Sequence, residues 1–259
     1  SASAAVGTWK IHPVFGATPT NAIDTGNNLY YLVSQNLYCY DKETSENIVY
    51  DKSNYLNDTQ IQNIYYNYEK KYLLVAYVNA NIDIILENGK VINIPDISNA
   101  LLTSAKTINH VTFHGNRAYV ATAFGYVAIN DEKYEIAESR IYNKNITSVA
   151  IVGNAILLSA DAGTYIGERS KPHSTLDTYV YTTALTKAKF YPLTESRFLT
   201  CGTNATIYNV NFDENGVPTG IAHSLTVDNS SPNIVQPIKA TGEMMVLFTT
   251  RGVYYVVAA

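Results

Sequence analysis

The chain has 259 residues, 46% of them apolar, so it can fill a core and is not a disordered tail. Its net charge of −4 comes from interspersed acidic and basic residues, which argues against a nucleic-acid partner and leaves room only for a local basic patch. No run approaches the roughly 18 apolar residues that cross a bilayer as a helix, so no transmembrane segment is expected in this chain.

Taken in order, the first stretch with strand character is Thr8-Trp9-Lys10-Ile11-His12. After it, one unit recurs. Each copy opens on a short apolar strand, at 22–23, 61–64, 108–111, 146–149, 188–190 and 235–238. A polar turn follows, as in Gly26-Asn27, Gly115-Asn116, Gly153-Asn154 and Thr241-Gly242. Such dipeptides tolerate the positive φ of tight hairpins. Then come two apolar strands around a second tight turn. This part is clearest at 117–129, 155–166 and 243–256, and weaker at 29–40, 72–85 and 198–208. The turn anchor falls at Asn36, Asn81, Gly125, Gly163, Ala205 and Gly252, at intervals of 45, 44, 38, 42 and 47 residues. Propeller blades, which are four-stranded antiparallel sheets, recur at about 40–45 residues. Glu87-Asn88-Gly89 and Asp213-Glu214-Asn215-Gly216 mark further hairpins between third and fourth strands.

A helical reading fails on periodicity. Asn81-Ile82-Asp83-Ile84 and Val91-Ile92-Asn93-Ile94 alternate at period two. The 22 tyrosines suit strands packed face to face, with rings buried and hydroxyls reaching an edge. The expectation is therefore one all-β domain over residues 1–259, a six-bladed β-propeller of four-stranded antiparallel sheets. A seventh blade within 169–186 is the alternative. The last copy ends after its third strand, so residues 8–12 are expected to pair there, close the ring and hide its edges. Cys39 and Cys201 fall in copies that are not neighbours, and a disulfide needs Cα atoms within about 7 Å, so two buried free thiols are expected.

Candidates for chemistry are few. His110 and His114 are the only close histidine pair. On a strand they stand roughly 13 Å apart, too far for one metal ion. Asp213-Glu214-Asn215-Gly216 resembles the start of a calcium loop, but Ser224 occupies the position where an EF-hand carries its glutamate. No nucleophile elbow or phosphate loop is present. Asp24, Asp83, Asp96, Asp131, Asp161 and Asp177 are spread along the chain, whereas a glycosidase needs two carboxylates facing each other. Asp83 lies on the strand face opposite Ile82 and Ile84 and reads as an outward position or a hydrogen-bonded turn. No catalytic, cofactor-binding or metal residue is assigned, and no cofactor is expected.

Binding fits a propeller better, because its loops sit on a rigid scaffold. The candidate contact residues lie in the turns between second and third strands: Asn79, Asn81, Phe124, Asp161, Asn204 and Arg251. Amide and aromatic groups there suit a sugar. The loops Asn67-Tyr68-Glu69-Lys70 and His114-Gly115-Asn116-Arg117 are further candidates.

Several motifs in order carry a resemblance. Trp9-x-x-His12, Asn36-Leu37-Tyr38-Cys39-Tyr40-Asp41, Tyr72-Leu73-Leu74-Val75-Ala76-Tyr77, Ile94-Pro95-Asp96-Ile97, Lys106-Thr107-Ile108-Asn109 and Ala121-Thr122-Ala123-Phe124-Gly125 resemble the N-terminal β-propeller of PorZ-type proteins, with residues 9–166 covered in detail. The degenerate pattern Tyr-Val-Ala-Thr-x-x-Gly is similar to the two-component regulator propeller repeats of hybrid sensors. The first resemblance implies an exported protein of the periplasm or cell surface in Bacteroidetes. It implies a second propeller and a β-sandwich beyond this domain, a role in type IX secretion and lipopolysaccharide attachment, and no catalytic set. Its implied partners are proteins of that assembly, or a glycan or lipopolysaccharide. The second implies a ligand-sensing ectodomain. A glycan-active enzyme is the third reading.

Overall fold

The computed structural model describes residues 19–201, 205–228, 238–241, 244–249 and 252–257, with side chains for 19–200 and 205–226. Alternating apolar residues and turn signals produce strands almost throughout. Sheet 1 holds β1 (Asn21–Asp24), β2 (Asn28–Val33), β3 (Asn36–Asp41) and β4 (Glu46–Tyr50). Sheet 2 holds β5 (Ile61–Asn67), β6 (Tyr72–Tyr77), β7 (Ile82–Leu86) and β8 (Val91–Ile94), followed by the one-turn helix α1 (Asp96–Asn99). Sheet 3 holds β9 (Ile108–His114), β10 (Arg117–Thr122), β11 (Gly125–Asn130) and β12 (Glu135–Ile141). Sheet 4 holds β13 (Ile146–Val152), β14 (Ala155–Ala160), β15 (Thr164–Glu168) and β16 (Val180–Thr182). Sheet 5 holds β17 (Lys189–Pro192), β18 (Arg197–Cys201), β19 (Ala205–Phe212) and β20 (Pro218–Asp228). β21 (Ile238–Thr241), β22 (Met244–Thr249) and β23 (Gly252–Val257) form a three-stranded sheet 6.

The fold is thus all-β and propeller-like: five four-stranded antiparallel sheets and one three-stranded sheet among the described residues, each meandering in chain order. The stretch considered for a seventh blade forms no sheet of its own. It contributes a 3-10 turn at Leu176–Thr178 and then β16, the fourth strand of sheet 4. Residues 8–12 lie outside the described residues.

Each anchor of the repeat stands at or just before a third strand. At Gly125 the reason for glycine is visible. Its φ is +152°, and a Cβ there would lie 2.0 Å from the Arg140 carbonyl oxygen on the neighbouring fourth strand. Gly163 repeats the device, with the Thr182 carbonyl oxygen 2.5 Å from a Cβ position. In sheet 1 the ladder to the fourth strand begins at Leu37, one residue after Asn36, so that copy does without glycine.

Sheets 1 to 5 pack face to face in chain order. β6 shows the rule: Tyr72, Leu74 and Ala76 face sheet 3, where Val111, Ala118, Val120 and Ile129 meet them. The alternate residues Leu73, Val75 and Tyr77 face Ile23, Leu32 and Leu37 of sheet 1. The same alternation joins sheets 3 and 4 through Tyr119, Ile151 and Leu158, and sheets 4 and 5 through Leu157, Phe190 and Phe198. Burial of one such side chain stabilises by about 1.5–3 kcal/mol. Cys39 belongs to the sheet 1–2 core as a buried free thiol, and burial pushes it up to about 11, which makes it inert.

Directional bonds then fix one sheet on the next. Asn21 Nδ2 donates to the Ile64 carbonyl (3.2 Å), Gln62 Nε2 to Ile108 (2.8 Å), Asn109 Nδ2 to Ile146 (2.7 Å) and Thr147 Oγ1 to Ala188 (3.2 Å). Each bond runs from the first strand of one sheet to the first strand of the next or the residue before it. Beside this row lies buried His110. Its Nδ1 is 2.7 Å from Ser148 Oγ, which also accepts the Phe190 N–H at 3.0 Å. The ring lies edge-on between Tyr65 and Tyr191.

Burial, aided by Lys189, pushes the His110 pKa from 6.5 down to about 3. Between those values the unfolded chain holds a proton on this ring that the folded chain refuses. Stability from this group is therefore complete above 6.5 and falls with pH toward 3, at up to about 1.4 kcal/mol per pH unit. Urea unfolding from pH 7 to pH 5 should show a steeper loss for the natural chain than for His110→Gln. Equal slopes would contradict the assignment.

Candidate functional site

The candidate residues in the turns between second and third strands play different parts where they are described. Asn79 is exposed, and its Nδ2 donates to Asp58 Oδ2 at 2.6 Å. Asn81 is 7% exposed; its Nδ2 donates to the same oxygen at 3.2 Å and its Oδ1 accepts Asn93 Nδ2 at 3.0 Å. Both amides therefore tie the β4–β5 connection to this turn. Phe124 departs from expectation: it is 2% exposed and packs in the core between sheets 2 and 3, out of reach of a surface ligand. Asp161 stands exposed in the β14–β15 turn. Asn204 and Arg251 lie outside the described residues.

The carboxylates of greatest burial act as ties. Asp83 is 0% exposed, which corrects the outward reading of its position. It accepts from the Asn57 N–H (2.7 Å), Asn57 Nδ2 (2.9 Å), Tyr77 Oη (2.5 Å) and Asn93 Nδ2 (2.9 Å). Burial, reinforced by this carboxylate, holds the Tyr77 phenol far above its usual range. Asp131 joins sheet 3 to sheet 2, accepting Lys70 Nζ at 2.7 Å and Tyr72 Oη at 2.8 Å. At the surface, Asp24 pairs with Lys42 at 2.7 Å. Among the described residues, no three His, Cys, Asp or Glu side chains are placed to hold a metal ion.

A different feature offers unengaged chemistry. A crevice of about 450 Å³ opens between sheets 3 and 4. One rim is the turn His114-Gly115-Asn116-Arg117, and the other is the segment 169–173 that follows β15. Tyr119, Tyr126, Ile151 and Ile156 contribute an apolar lining. Arg117, Arg140, Arg169 and Lys171 bring four cations against the single lining carboxylate, Glu138.

Polar contacts order the walls. Glu138 accepts Arg117 Nη1 at 3.1 Å, Arg140 Nη2 at 3.2 Å and Tyr126 Oη at 2.6 Å. Lys171 lies 3.5 Å from Glu168. Arg169 Nη1 donates to His114 Nε2 at 2.5 Å, which requires that nitrogen to be unprotonated. Burial, together with the Arg169 charge, holds the His114 pKa below its usual value. His173 stacks on Tyr179 with ring centres 4.1 Å apart and donates from Nε2 to the Glu168 carbonyl at 2.7 Å, which fixes the segment that carries Arg169.

Sequence reasoning singled out one rim of this crevice, the loop His114–Arg117. It missed Arg140, Arg169 and Lys171. These come from separate elements, and no local spacing joins them to the loop.

The family described as TSS9, PorZ, N-terminal beta-propeller domain matches residues 29–188. Among solved structures, PorZ, an essential surface component of the type IX secretion system of Porphyromonas gingivalis, aligns with a TM-score of 0.69 at 17% identity. That alignment covers 94% of this chain and 37% of the PorZ chain, so the chain spans well under half of it. The WD40 β-propeller domain of Doa1 aligns with a TM-score of 0.56 at 8% identity, over 93% of this chain and 92% of that one. The extracellular domain of a proposed one-component system from B. thetaiotaomicron aligns with a TM-score of 0.52 at 15% identity, over 96% of this chain and 41% of that one. At these identities the structural likeness is one of fold. No curated protein matches the sequence at a significant level.

Proposed function

The chain belongs to the PorZ N-terminal β-propeller family, and from that premise we propose that it is a non-catalytic interaction domain of a larger exported protein. Its place is the periplasm or the cell surface, in a secretion or surface-assembly system. Its partners are proteins of that assembly or a glycan or lipopolysaccharide that the assembly handles. Family membership carries this reading. The use of buried carboxylates supports it, because Asp83 and Asp131 are engaged in holding strands and sheets in place.

The domain is a closed six-bladed ring in this proposal, with residues 8–12 completing the three-stranded sheet 6. Closure removes the sheet edges at which such a ring would open or aggregate. Deleting residues 1–13 should lower the melting temperature by several degrees, far more than the loss of an undocked terminus. An unchanged melting temperature would rule closure out.

The parent gene tests the function. A second propeller and a β-sandwich after this domain, with the protein found outside the inner membrane by fractionation, is the expected result. A membrane helix followed by a signalling domain would move the role to ligand sensing. That rival draws on the likeness to the extracellular domain from B. thetaiotaomicron, which supports the shared fold.

A further inference from the structure

We infer that the crevice between sheets 3 and 4 binds a compact oxyanion, a carboxylate or a phosphate, on Arg169 and Arg140. The inference rests on the reading of this domain as a binding module, but not on which assembly it serves.

Charge is the first argument. The chain as a whole carries −4, yet four cations and one carboxylate line this crevice. Glu138 is already matched by two guanidinium groups and a phenol, so it does not neutralise the remainder. Lys171 has Glu168 beside it. Arg169 is left with an imidazole as its side-chain partner and makes no ion pair among the described residues. A guanidinium held against a neutral ring nitrogen and outside any ion pair can accept a counter-charge from the crevice.

An unmet donor is the second. Arg140 Nε is buried and has no hydrogen-bond partner among the described residues, although Nη2 of the same group holds Glu138. A buried donor left unmade costs about 1–3 kcal/mol, so it calls for an explanation. Guanidinium edges present paired N–H groups that match the two oxygens of a carboxylate or phosphate. Arg140 thus adds its charge to the lining, and an oxyanion in the crevice would meet that charge together with that of Arg169.

Environment is the third. Tyr119, Tyr126, Ile151 and Ile156 back the floor of the crevice, and a charge-assisted bond formed against them is screened less than one in open water. A volume of about 450 Å³ admits an anionic head with a small substituent attached. Stacking of His173 on Tyr179 holds the rim in place before any ligand arrives, which limits the ordering cost of binding.

The test is a titration of the full 259-residue chain with inorganic phosphate and, separately, with acetate, at constant ionic strength. Histidine ring signals are followed by NMR, and the His114 signal is assigned from its loss in His114→Gln. A saturable shift of that signal is expected, weakened about tenfold or more in Arg169→Gln, as one lost charge-assisted bond implies. Lys90→Gln, a surface change on the β7–β8 turn of sheet 2, should bind as the natural chain does. Saturation by phosphate alone would assign the site to phosphate-bearing ligands; saturation by both ions would admit the carboxylates of a partner. No saturable shift with either ion, or equal affinity in Arg169→Gln, would overturn the proposal. Arg169 is exposed, so its loss does not threaten folding, and a melting curve of the variant checks this. A positive titration in a protein whose parent proves to be a sensor would retain the site and discard the secretion role.

Discussion

Everything in this molecule depends on how one small sheet is held against the next. Within a sheet, antiparallel ladders satisfy the backbone and need no help. Between sheets there is no ladder, and apolar faces alone are non-directional. The side-chain bonds from Asn21, Gln62, Asn109 and Thr147 to a carbonyl on the following sheet supply the missing direction. Each is worth only about 1 kcal/mol net, but each would leave a buried carbonyl unpaired if the sheets rotated or slid. Position is thus fixed by the cost of the alternatives.

The crevice inherits that order. Its two rims belong to different sheets, so its shape is set by the contact between sheets 3 and 4. Asn109, Thr112 and His110 make that contact on the β9 side, bonded to Ile146, Val149 and Ser148 of β13. The distance between the His114 turn and the Arg169 segment follows from these bonds. A binding site placed between blades is only as rigid as the joint beneath it.

Much of the architecture was legible because its signals are local. Alternation at period two, glycine or asparagine at the turns, and a repeat near 43 residues all act within one blade. The Gly125 anchor reports a collision with the fourth strand of its own sheet, at Arg140. What was not legible depends on stacking. Asp83 was assigned to the face opposite Ile82 and Ile84, and so it lies, but in a stack of sheets that face is covered as well. A strand buried on both sides leaves no outward position, so a polar residue there must find partners, as Asp83 does with Asn57, Tyr77 and Asn93. Phe124 sits in a turn by sequence, yet the turn folds over the core between sheets 2 and 3. Arg140 and Arg169 line one crevice only because two sheets pack, which no spacing along the chain reveals.

The central claim is that directional bonds between first strands lock successive sheets, and Asn109 tests it most directly. Asn109→Leu keeps the size of the side chain and removes its donors to Ile146 and Asn145. Urea unfolding at pH 7 should show a loss of about 1–3 kcal/mol. Amide hydrogen exchange should quicken on both sides of the sheet 3–4 joint. Unchanged stability and exchange would mean that apolar packing alone aligns the sheets, and the account given for the joint would be wrong.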